Sequence, residues 1–66
     1  MTAMNNNQIK ATALNIGMAL QREDWYNMNA TQAEDWCISQ CDKRGICPDH
    51  AEVIAMLAMN FVIANK

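Results

Sequence analysis

The chain has 66 residues, 52% of them hydrophobic, with 7 acidic and 5 basic side chains and a net charge of −2 at neutral pH. That length allows one small domain, 1–66, which would bury only about 60% of its unfolded surface and so calls for a staple such as a metal, disulfides or a second subunit. Two Gly and one Pro exclude a collagen-like or Pro/Gly-rich chain, the apolar share excludes intrinsic disorder, and the weak charge gives no long-range pull toward phosphate or anionic lipid.

Residues 1–6 read as a polar, Asn-rich tail, with no apolar segment behind a basic start. No secretory signal is expected, and the expected compartment is a reducing cytosol. A first helix is expected over about 7–26. Ile9, Ala13, Ile16 and Leu20 recur at helical spacing, while Ala11, Leu14, Met18 and Trp25 form a second apolar stripe on nearly the opposite side. A helix apolar on two faces is expected to be sandwiched. Gly17, inside it, costs about 1 kcal/mol relative to Ala, and its expected use is the close approach of another helix.

A second helix is expected over 30–44. Thr31-Gln32-Ala33-Glu34 matches a capping box, Lys43 and Arg44 suit the negative helix end, and Gly45 suits a left-handed residue just beyond it. Ala33, Trp36, Cys37, Gln40 and Cys41 share its inner face. Pro48 fits the first turn of a third helix over 48–65, with Asp49 and Glu52 near its positive end.

From Ala51 to Ala64 only Glu52 and Asn60 interrupt an apolar run that covers every side of the helix, so it must be buried all round. The run falls short of the ~20 residues of a membrane span, and a membrane role is not expected. The fold class is therefore all-α: a small three-helix protomer in a homodimeric bundle built around the apolar C-terminal helix. Ile54, Leu57, Phe61 and Val62 are the candidate interface residues.

Cys37, Cys41, Cys47 and His50 fall within fourteen residues, spaced C-x3-C-x5-C-x2-H. Three thiolates and one imidazole are a known structural zinc set, and one zinc per chain would clip the second helix to the third. The set resembles the Cys3His zinc-finger class in ligand composition; its spacing is not that of a standard zinc motif. Two other readings stand beside it. The cysteines could be core residues, or Cys47 could form a redox pair with Cys41 or Cys37, although an odd cysteine count fits poorly with a closed disulfide framework.

No phosphate loop, nucleophile elbow or two-His metal helix is present, and an enzyme is not expected. Glu23-Asp24-Trp25 and Glu34-Asp35-Trp36 echo one another, and residues 22–52 hold all seven acids against three bases, a local balance of −4. Trp25, Tyr26, Glu34 and Asp35 are the candidate contacts for a protein partner of basic character. The leading expectation is a protein-binding module: an adaptor, inhibitor or anti-defence factor of the size and style often encoded by phages or mobile elements. A dimeric helix-turn-helix regulator ranks second, because the third helix offers almost no side chain that reads a groove. A thiol-based metal or redox sensor ranks third.

Overall fold

The computed structural model describes residues 4–65. It has three α-helices: α1 over Asn6–Arg22, α2 over Ala30–Lys43 and α3 over Pro48–Ala64, with a short 3-10 turn, Trp25–Asn27, between the first two. The first three residues of the expected polar tail lie outside the described residues. Among the described residues no helix is long and apolar enough to cross a membrane.

Helix starts and stops follow from local chemistry. At α1 the Asn5 side chain accepts from the Gln8 backbone N–H at 2.8 Å, and the Gln8 side chain accepts from the Asn5 N–H at 2.9 Å. Asn29 and Gln32 make the same reciprocal box at α2, at 2.8 and 3.0 Å. The Thr31–Glu34 box expected there is not the one used. Asn is at least as good a cap as Thr, and starting at Ala30 lets the break at Asn27-Met28-Asn29 supply it. At the far end of α2, the Ile46 N–H reaches the Cys41 carbonyl and the Gly45 N–H that of Asp42, both at 3.0 Å. Those two bonds form a Schellman motif, which needs a left-handed residue at Gly45; its φ is +72°. Pro48 starts α3 at a position whose N–H would have no helical partner.

α1 ends earlier than the expected boundary near residue 26. Glu23 adopts extended backbone (φ −89°, ψ 169°), and the 3-10 turn carries Trp25 away from the stripe of Leu14 and Met18.

α3 is the central element: it packs against both other helices, which touch each other only lightly. A Cβ at Gly17 would lie 2.8 Å from Phe61 Cδ2 and 3.2 Å from the Ala58 carbonyl oxygen, so this glycine does serve close helix approach. One turn further, the Gln21 side-chain amide donates to the Asn65 carbonyl at 3.2 Å. Both sequence numbers rise together, so α1 and α3 run parallel, and α2 runs back against α3 in the opposite direction.

The core is Ala13, Ile16 and Leu20 from α1, Ala33, Cys37 and Cys41 from α2, and Ala51, Ile54, Ala55, Ala58 and Val62 from α3. Two expectations change here. α3 is not buried all round, because Met56 is 62% and Ile63 53% exposed and Val53 is also open. α1 is not sandwiched within one chain either, since Leu14 and Met18 are exposed.

Candidate functional site

The circumference of α3 divides into three arcs. The central arc, Ala51, Ile54, Ala55, Ala58 and Val62, is the core. Of the four residues expected at a dimer interface, Ile54 and Val62 are therefore spent inside the chain's own core and have no exposed surface left. The correction follows from size: two short helices need that arc of α3 for their own burial. Leu57 and Phe61 are only half-buried.

The first flank lies on the α1 side. Leu14, Met18 and Gln21 are spaced i, i+4, i+7, and Leu57, Phe61 and Asn65 are spaced i, i+4, i+8, so each set forms a stripe. The Gln21–Asn65 hydrogen bond and the Gly17–Phe61 approach set the two stripes side by side. Val53 extends the α3 stripe by one turn. The α1 segment 11–21 and the α3 segment 53–65 contain no charged residue, so this surface is apolar and uncharged.

The second flank lies between α3 and α2. Glu52, Met56, Met59 and Ile63 follow i, i+4, i+7, i+11 and face two adjoining hollows. One, of about 160 Å³, is lined by Leu20, Trp25, Met28, Ala33, Met59, Val62 and Ile63, with Asn29 and Ala30 at its edge. The other, of about 380 Å³, is lined by Glu34, Glu52, Met56, Met59, Asn60 and Ile63. Met59 and Ile63 belong to both, which makes one groove. Of the expected partner contacts, Trp25 and Glu34 line it. Tyr26, 71% exposed, packs edge-on against Trp25 with ring centroids 6.1 Å apart, and Asp35 is exposed on α2. Met56, Met59 and Ile63 of α3 are groove residues that the sequence reading does not single out; the available signal is their helical spacing beside Glu52, whereas Met28, between the 3-10 turn and α2, carries no such signal.

The four-ligand zinc set is not assembled. Among the described residues no three His, Cys, Asp or Glu side chains are grouped to hold a metal. Helical spacing points Cys37 and Cys41 together, but into the core, where both thiols are fully buried. Cys47, at the N-cap of α3, makes no cap hydrogen bond; its Sγ lies 3.1 Å from His50 Nδ1 at a half-buried position. All three cysteines are free thiols.

Burial pushes the Cys37 thiol up to about 11 from its ordinary 9, with the neighbouring Cys41 and Glu34 adding to the rise. Burial also raises Cys41, against a lowering from Arg44. The folded Cys37 thus stays neutral over a range where the unfolded thiol ionises, so the folded state loses stability as pH rises from about 9 to about 11. The same burial sets an order of labelling. With a disulfide reagent at neutral pH, Cys47 is expected to react in one fast phase and Cys37 and Cys41 only on unfolding. Three equal fast phases would contradict the buried placement.

Arcs and flanks define the class: among the described residues, an all-α three-helix fold with two exposed apolar flanks on its central helix. No family model, curated protein or solved structure matches the chain.

Proposed function

We propose that the chain is a non-enzymatic protein-binding module that works as a helical homodimer in a reducing compartment and alters the activity of a larger protein. The observation that carries this reading is the uncharged apolar surface of Leu14, Met18, Val53, Leu57 and Phe61, left open by a fold whose core is already full. A surface that apolar, continuous across two helices, is suited to burial against protein. A second copy suits it best, because an isologous contact between two uncharged faces brings no like charges together. The second flank then stays free for a different protein.

The nucleic-acid reading draws no support from α3, whose exposed residues beyond its first turn are Glu52, Val53, Met56, Asn60, Ile63 and Ala64, none of them cationic. The sensor reading would draw on gathered thiols, whereas two lie in the core and the third at a half-buried position at the start of α3.

Sedimentation at micromolar concentration tests the dimer. The wild-type chain is expected to run as a dimer, and the double variant Leu14→Glu, Val53→Glu as a monomer with unchanged helical circular dichroism. Both positions are exposed in the protomer, so the variant's fold should change in stability by no more than about 0.5 kcal/mol per site. A monomeric wild type, or a double variant that still dimerises, removes the reading.

A further inference from the structure

We infer that the groove between α2 and α3 is the docking site for a basic amphipathic helix of a partner protein. The inference rests on the protein-binding reading and names the partner's chemistry. Three features of the groove select that occupant.

Its floor is thioether and aliphatic: Met28, Met56, Met59 and Ile63, with the Trp25 ring at one end. Methionine side chains are unbranched and polarisable, so such a floor adapts to apolar side chains of differing shape. Its rim is acidic. Glu34 from α2 and Glu52 from α3 both line the second hollow, and among the described residues no Lys or Arg lines either hollow. Finally, the groove runs between two antiparallel helices, the geometry into which a third helix lays an apolar stripe of i, i+3, i+4, i+7 residues. Lys or Arg bordering that stripe would meet Glu34 and Glu52 across it.

A second copy of this chain does not fit. An isologous contact here would set Glu34 and Glu52 of one protomer against the same carboxylates of the other, and like charges brought together at an interface are unfavourable. The charge that excludes a copy is the charge that selects a basic partner.

The test uses the full chain and three synthetic helices: one with a Leu stripe flanked by Lys, one with the same stripe flanked by Glu, and a Lys/Ser helix with no apolar stripe. Titration calorimetry reads affinity, and methionine methyl resonances read position. The Leu/Lys helix is expected to bind and to shift the methyls of Met28, Met56 and Met59 while leaving Met18 unmoved. The other two helices should bind about tenfold or more weaker. Glu34→Lys with Glu52→Lys should weaken the Leu/Lys helix by a similar factor with circular dichroism and sedimentation unchanged. Equal binding of the Leu/Glu or the Lys/Ser helix, no binding of the Leu/Lys helix, a shift centred on Met18, or indifference to the charge reversal would each overturn the inference. Sedimentation in the same samples keeps the two readings apart: a lost groove interaction with an intact dimer removes this inference alone.

Discussion

Ile54→Ala is expected to remove about 3 kcal/mol of stability, within the range for deleting a fully buried aliphatic side chain that its surroundings cannot refill. Ile54 is wholly enclosed, at the centre of the α3 arc that both other helices cover. A chain of 66 residues commands roughly 3–10 kcal/mol in total, so one such cavity is a large share of it. For a domain of this size each kcal/mol lowers Tm by about 4–8 °C. Thermal melts at one fixed protein concentration, which keeps any contribution from self-association the same for both chains, should therefore show a drop above 10 °C. The control lies about two and a half turns along the same helix, on its opposite side. Ile63 is half-exposed, and Ile63→Ala should cost under about 1 kcal/mol. Equal losses at the two positions would mean that α3 does not present these arcs.

Gly17→Val is the second large effect, and its sign is set by space. An added Cβ at this position meets the Phe61 ring at 2.8 Å and the Ala58 carbonyl at 3.2 Å. The ring can swing aside, because Phe61 is half-buried; the carbonyl belongs to helix backbone and cannot move without α3 moving. Replacing Gly should gain about 1 kcal/mol of helix propensity or less, since Val is β-branched. Overpacking between two close helices costs about 1–3 kcal/mol, more when backbone must shift, so destabilisation wins by roughly 2 kcal/mol. Urea denaturation of Gly17→Val, Phe61→Ala and the double variant measures the coupling. The double variant should be less destabilised than the sum of the singles, because removing the ring relieves half of the clash. Strict additivity would show that α1 and α3 do not meet at this point.

Most of the architecture was legible from periodicity and punctuation. The stripe Ile9, Ala13, Ile16, Leu20 packs as read, Gly17 and Gly45 hold the roles their positions suggested, and Pro48 opens α3. What was not legible has three physical causes. Competing caps within two residues of one another, Asn29 and Thr31, differ too little in intrinsic preference for the sequence to choose. An all-round apolar helix does not declare which arc its own chain will cover, so periodicity alone places Ile54 and Val62 at the interface and passes over Val53. Clustering in sequence is also not convergence in space. Cys37 and Cys41 lie on the core side of α2, Cys47 meets His50 one turn along at the start of α3, and among the described residues no three such side chains gather. The acidic, aromatic-edged patch was readable as composition, but its floor of methionines needed α3 placed against α2 before it could be seen as a groove.

The parallel pairing of α1 with α3 bears on how the chain reaches this state. Gln21 and Asn65, which join across that pair, are 44 residues apart in sequence, whereas α2 and α3 meet across a four-residue turn. Loop-closure entropy therefore falls almost entirely on the docking of α1. The α2–α3 hairpin can form locally, held by its Schellman turn, but half its apolar arc stays wet until α1 arrives. α1 and α2, though neighbours in sequence, have too little contact to hold each other. Folding is thus obliged to be cooperative across the whole chain, with no early fragment able to settle before α3 is in place.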